Sequence, residues 1–558
     1  MIFGPIVKAF TWARTVVPEE KRNVFVVFGI ILSASALDNL NSSSSLTLAA
    51  DIQKRFNTDS STATWVLSGY ALTLGSFIMI SGKISDIIGS HNLFLIGLGV
   101  FWVSALICAL IPDTSIVALI VFRAIQGIGA SSLIPSTIAM AANYFSGPLA
   151  KYLNGMIVCS ILALTATIGL GVVLGGAFSE SKIGYKGFFY FVFAYSLVCH
   201  IALIFLIIPI KKTESHNKLK IKNIDFVAAF LVIAGCLLMI LGLTEGGDNW
   251  KSPKAIAPLI VGFFTFLSAL AYEYFYIKKY QIKHDNEDKS TNWRLQVDLL
   301  FPPEISKIPN VYSFLTIRGT YFATTIMLTA IGVQTYTLID HEPPIVAAVK
   351  AFSLSIGLVF GAFIYRDSYY KKVGYKNMFI ISSVLSLASI IWFSRTKFDT
   401  VNSYWKYNFI PYFMFGYSIN IFFNIYMPLV VQSTPLHLQG VVNGIFQTSS
   451  QVLLSVGNAL VPSITGNLEK AYTFEEKTYI QKKFRAVLYV MIGFHAFVVL
   501  LMVFAIKDTT KSIQPEREEK EIGDEKIDEK VDLEKQPEAT EKSESSVDSY
   551  NLNKKTST

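Results

Sequence analysis

Apolar residues in this chain come in blocks rather than in alternation. Stretches such as VFVVFGIILSASA, LFLIGLGVFWVSALICAL and FVAAFLVIAGCLLMILGL are broken by short polar joints. About fourteen such runs reach the ~20 residues that carry a helix across a bilayer. They begin with 24–48 and 62–82 and end with 438–462 and 484–506. In lipid a backbone must satisfy its own hydrogen bonds, so these runs predict helices throughout. The expected fold class is an all-α integral membrane protein with 14 transmembrane helices. The joints set the organisation: 1–23 an N-terminal segment, 24–210 a six-helix bundle, and 211–223 a Lys-rich linker. Two inserted helices occupy 224–277, a polar loop 278–310 and a second six-helix bundle 311–506. The remainder, 507–558, reads as a disordered acidic tail.

Two matches suggest that the sixes are copies. IIGSHN (87–92) aligns with KVGYKN (372–377), and YLNGMIVCS (152–160) with VVNGIFQTS (441–449), at nearly one offset. Duplicated bundles around a midplane site are a transporter architecture.

Composition supports the membrane reading: 52% of residues are apolar and 16% charged. The net charge is +8, but residues 512–558 hold 14 acids against 8 bases, so the rest is more basic still. Basic clusters at Lys211, Lys212, Lys218, Lys220 and Lys222, and at Arg366, Lys371, Lys372 and Lys376, place both termini in the cytoplasm. The excess fits juxtamembrane contact with anionic lipid rather than nucleic acid. Cys108, Cys159, Cys199 and Cys236 lie in separate spans with no CxxC and read as structural thiols. No metal-ligand spacing, phosphate loop or nucleophile–base set appears, so neither an enzyme, a cofactor nor a metal site is expected.

The candidate chemistry lies where polar groups interrupt the oil. Ionisable residues inside a span are costly and mark function. Asp38, Arg123, Arg318 and Lys350 are the cases. Lys350 is near enough to its helix end to snorkel. Within LDNLNSSSS, the residues Asp38, Asn41, Ser42 and Ser45 fall at i, i+3, i+4 and i+7. They are expected to share one face lining an aqueous cavity. Gln126 and Arg318 are expected to line it too. Glycines in GIGASS (127–132) and IGLGVVLGG (168–176) predict close, movable helix contacts.

Four stretches resemble signatures of the major facilitator superfamily. GKISDIIGSHN (82–92) resembles its loop motif after helix 2, matching at Gly82, Asp86 and Gly89. RAIQGIGAS (123–131) resembles the helix 4 motif, including Gln126, Gly127 and Gly129. GLGVVLGG (169–176) resembles the helix 5 motif through Gly171, Gly175 and Gly176, and YKGFFYF (185–191) the opening of helix 6. Fourteen spans resemble the drug:proton antiporter branch, in particular a fungal aminotriazole-resistance and boron-efflux-like group. Ile87, Ser90 and His91 replace the loop motif's basic residues, Val172 the helix 5 proline and Thr167 that motif's first glycine. The resemblance implies two rocking bundles with Asp38 as proton carrier and Arg123 as its tuner or relay. It implies an inner gate at Gly82, Asp86 and Gly89. The function so implied is secondary active, proton-coupled export of a small toxic solute by a monomer in the plasma membrane. A proton-coupled importer or vacuolar transporter of a cation, amino acid or metal chelate is the alternative; a nutrient sensor is a third reading.

Overall fold

The structure is a computed structural model. It describes residues 16–58, 60–210, 223–284, 292–301, 303–364, 366, 372–396, 404–435, 438–466, 468 and 470–507. The lysines between 211 and 222, Lys371 and the acidic tail lie outside the described residues.

Among the described residues, fourteen long helical segments follow one another. α1 is Val24–Phe56, α2 Ser60–Ile88 and α3 Ser90–Leu110. α4 runs as Ile116–Ala130 and Leu133–Tyr144, α5 is Leu153–Ser179 and α6 Tyr185–Leu206. The inserted pair is α7, Phe226–Asp248, and α8, Pro253–Ala271, the latter prolonged through a π-helical turn to Lys283. α9 is Val311–Gln334, α10 Pro344–Ala351 with Ser353–Ile364, and α11 Tyr375–Phe393. α12 is Ile410–Ser433, α13 Gln439–Thr465 and α14 Phe474–Phe504.

Local chemistry fixes the ends and bends. Asn23 caps α1 by accepting from Phe25 N at 2.9 Å, Asp225 caps α7 from Ala228 N at 2.8 Å, and Thr473 with Glu476 forms a capping box on α14. Burial raises the Asp225 carboxyl above its ordinary range, against the pull of the Ala228 N–H. α4 breaks at Ser131–Ser132, where Pro135 can supply no N–H to the turn before it.

The suspected duplication has a structural signature. Gly89 joins α2 to α3 at φ +92, and Gly374 opens α11 at φ +88, a region that glycine alone enters freely. Three residues on, Asn92 Nδ2 donates to Ile88 O at 2.8 Å and Asn377 Nδ2 to Val373 O at 2.9 Å. The same turn is built twice. The second match differs: Gly444 lies against Ile78 and Met79 of α2, whereas a Cβ on Gly155 would meet nothing within 4 Å.

Among the described residues, thirteen helices are long and apolar enough to cross a membrane. α13 is not among them, although it is helical over 27 residues. Its Gln447, Thr448, Ser450, Gln451 and Ser455 are buried against neighbours and never meet lipid, which releases it from the hydropathy the other spans need. It packs on α2, α7 and α9, along the seam between the sixes.

The buried apolar side chains form three clusters. One is drawn from α1–α6, and another mainly from α9–α14. The third sets Met79 and Ile80 of α2 against Ala228, Val232 and Cys236 of α7. α7 therefore docks the inserted pair, while α8 exposes Phe263, Phe264 and Phe275 on its outer face.

Candidate functional site

Asp38 sits midway along α1 and is 1% exposed. Its Oδ1 accepts the hydroxyl proton of Tyr70 from α2. The guanidinium of Arg123, on α4, lies 4.4 Å from the centre of the Tyr70 ring, a cation–π contact inside the bundle. Arg123 is fully buried and its donors are shared out: Nε to Val66 O at 3.1 Å, one terminal nitrogen to Gln126 Oε1 at 2.8 Å, the other to Ser45 Oγ at 3.0 Å. Carboxylate, phenol and guanidinium thus form one chain through three helices. It joins Asp38, Arg123, Gln126 and Ser45, and adds Tyr70.

The stripe expected to line water divides instead. Asn39, Ser42 and Ser43 face a cavity of about 110 Å³ at the seam, while Asp38, Asn41 and Ser45 turn into the first bundle. Successive helical residues rotate by about 100°, so the two sets centre roughly a third of a turn apart. Of the residues expected in the cavity wall, Ser42 is there. Asn41, Ser45, Gln126 and Arg318 are not, because each is packed within its own half. Arg318 donates to Gln447 Oε1 of α13, behind the rings of Phe322 and Phe423 at 5.5 and 5.9 Å.

The serine run has a packing role. Ser43, Ser44 and Ser45 bond back to carbonyls of their own helix at 2.8 to 3.2 Å. Their small size lets α5 approach. A Cβ on Gly171 would fall 2.1 Å from Ser43 Oγ, and one on Gly175 2.4 Å from Thr47 Oγ1. Two bonds tie the pair of helices: Asn39 Nδ2 to Leu164 O at 2.7 Å and Thr47 Oγ1 to Val172 O at 3.1 Å. Gly127 seats α4 against Tyr70 and Thr73 of α2, and Gly129 seats it against Gly97 of α3. Gly169 and Gly176 meet Phe352, Ser355 and Ile345 of α10, bringing the halves together far from the start of α1.

Near the start of α1 the halves meet through Asp86. Its two carboxylate oxygens accept Gly440 N and Val441 N, each at 2.9 Å, at the buried amide end of α13. A carboxylate there also meets the positive end of the helix dipole. Gly82 crosses Gly440 so closely that a Cβ on either would fall 2.2 to 2.4 Å from the other's carbonyl oxygen. Gln432 Nε2 donates to Asn154 Oδ1 at 2.9 Å, a second bond between the halves at this end. Glu273 of α8 repeats the device, accepting Leu300 N at 2.5 Å and Phe301 N at 2.9 Å, while Lys83 donates to Leu299 O at 3.2 Å. Gly89 serves the turn after α2 and stands apart from the crossing.

The opposite end of the first bundle is pinned by ions. Burial is the largest single influence on the Asp113 carboxyl and pushes it up, but the bonds from Lys186 and Tyr185 at 2.8 Å, with the charges of Lys186 and Arg55, together outweigh it and hold it below its ordinary range. Tyr185 N also donates to Asp51, the partner of Arg55. Lys350 pairs with Glu342 at 2.6 Å, beyond the start of its helix. Among the described residues no three His, Cys, Asp or Glu side chains gather to hold a metal, and the four cysteines are free.

The sequence reading did not single out Tyr70, Asn39, or the α9, α12 and α13 walls of the cavity. Those walls contribute Tyr321, Phe322, Thr325 and Thr329, then Phe423, then Gln451 and Asn458. A signal existed on α9: Phe322, Thr325 and Thr329 recur at i, i+3 and i+7.

The family model described as Major Facilitator Superfamily matches residues 26–458. Multidrug resistance protein 3 of Bacillus subtilis is 24% identical over 476 residues, covering 82% of this chain and 81% of that protein. The MFS-type transporter grgE of Penicillium is 34% identical over 38% of this chain, and the match spans 37% of that protein's length. The major facilitator multidrug transporter mdr3 of Aspergillus fumigatus is 31% identical over 36% of this chain and 37% of its own. The human organic anion transporter MFSD10 shares the fold, with a TM-score of 0.52 and 13% identity over 87% of this chain and all of that one. By these matches and its helical architecture, the chain belongs to the Major Facilitator Superfamily.

Proposed function

We propose that this transporter exports a small solute in exchange for protons, by alternating access of the cavity between its halves. The observation that carries the reading is the two-faced α1. One face supplies Asn39, Ser42 and Ser43 to the cavity; the other holds Asp38 against Tyr70 and Arg123. A proton arriving on Asp38 removes a buried negative charge beside Arg123, so the contacts among α1, α2 and α4 change strength. Of these helices, α1 and α2 also line the cavity. The Asp86 clamp on α13 closes the end we assign to the cytoplasm, and its release would open the cavity there. The multidrug names of several relatives favour export from the cell. We place the protein in the plasma membrane as a monomer with cytoplasmic termini, its basic loops against anionic lipid.

The test is proton movement in reconstituted vesicles with a trapped pH dye. Adding a transported solute should draw protons in the direction opposite to solute flow. Co-movement in one direction would establish the importer reading instead.

A further inference from the structure

Among the described residues, eighteen side chains border the cavity, and none carries a formal charge. The charged groups of the mid-membrane region are nearby but turned away. Asp38 is bound to Tyr70, Arg123 is held by Val66, Gln126 and Ser45, and Arg318 sits with Gln447 behind two rings. What the wall does offer is aromatic surface from Phe322, Phe423 and Tyr321, and three side-chain amides. Asn39 lies on one side of the seam, Gln451 and Asn458 on the other. The Asn39 amide nitrogen is engaged by Leu164 O, which leaves its oxygen to accept. The Tyr321 hydroxyl is engaged by Ser382 at 2.9 Å, which leaves its ring as the cavity surface. The volume, about 110 Å³, is smaller than the roughly 150 Å³ that houses a benzene ring in a dry protein cavity, so a ring-bearing solute would enter only with further parting of the halves.

We infer that the substrate is an uncharged molecule with aromatic or apolar surface and amide-like hydrogen-bonding groups, and that charge is the property on which the cavity selects. The inference rests on the proposed transport function. An ion entering this cavity would leave water and find no counter-charge in the wall, a penalty that neutral polar groups meeting amides avoid. Substrate and proton then occupy different faces of α1 and do not compete for one carboxylate. Asp38 senses the substrate through the helix it shares with Asn39 and Ser42.

Matched probes of one shape and three charges test this. The full chain, reconstituted in vesicles, is challenged with benzamide, benzamidinium and benzoate, and with larger amide, amidinium and carboxylate triplets on two rings. Solute-driven proton flux is read for each. The expected result is a preference for the amide of about 10-fold or more within the triplets that respond. A benzamidinium or benzoate series that drives flux as well as the amides would overturn the uncharged-substrate inference and leave the transport reading standing. Silence from every triplet, with the protein shown to be folded by thermal melting, would count against both. Gln451→Glu adds a second reading: an acid in the wall should move the preference toward the amidinium, and an unchanged preference would show that the wall does not select.

Discussion

Asp38 and Tyr70 make the most exacting contact in the first bundle, because a carboxylate in the middle of a membrane protein needs both a donor and a balancing charge. Replacing Asp38 with Asn keeps an oxygen for the Tyr70 hydroxyl and removes the proton-binding group. The variant should therefore fold and bind solute as before, while solute-driven proton flux falls at least ~10-fold. Retained coupling would remove Asp38 from the mechanism. Arg123 poses the opposite case. Arg123→Ala strips donors from Val66 O, Gln126 and Ser45 at once, and hydrogen bonds to charged groups are worth about 1.5–3 kcal/mol each. Its thermal stability in detergent should drop sharply. Arg123→Lys restores the charge without the planar fork, so it should recover part of the stability but not the full coupling. A lysine variant indistinguishable from the parent would reduce Arg123 to a charge alone.

Elements were easier to read than faces. The apolar runs gave the helices, and IIGSHN with KVGYKN pointed to a turn that proves to be built twice, since a glycine at positive φ and an asparagine three residues on are local properties. The polar stripe on α1 was equally visible, but its direction was not. Spacing reveals which residues share a face; only the packed neighbours decide what that face meets. Here the α5 glycines claim the side of Ser43 and Ser44, and Tyr70 claims Asp38. Glu273 and Gln447 were invisible for the same reason, as their partners lie 27 and 129 residues away. At this scale the Gly82–Gly440 crossing makes a firm prediction. A methyl on Gly440 would fall 2.4 Å from a carbonyl oxygen, so α2 and α13 must part. Gly440→Ala should hold the inner end open. In a background lacking Cys159, a cysteine placed at Leu74, in the cavity wall, should then react several-fold faster with an impermeant maleimide applied from the inner side. Unchanged labelling would show that the crossing does not seal the cavity.

For the whole molecule, the halves are joined differently at their two ends. Far from the start of α1, small residues of α5 meet α10 through Gly169 and Gly176, contacts made by shape. Near the start, the Asp86 clamp and the Asn154–Gln432 bond are polar and directional, and a few ångströms of separation abolish them. Such bonds suit a closure that must form and break in every cycle: each is modest in strength, and water replaces it once the halves part. The shape contacts at the other end can slide without exposing an unpaired group. If the halves rock about the cavity, tethering the polar end should stop transport while leaving the protein intact. Cysteines at Asn154 and Gln432, joined by a short thiol-reactive cross-linker in a background lacking Cys159, provide that tether. Flux should fall to the level of empty vesicles after cross-linking and return fully when a reducible linker is cleaved. Solute stabilisation in a melting assay should persist in the tethered protein, since the cavity itself is untouched. Full flux through the tethered protein would mean that the cavity communicates with both sides without separating the halves, and the alternating-access reading would have to be abandoned.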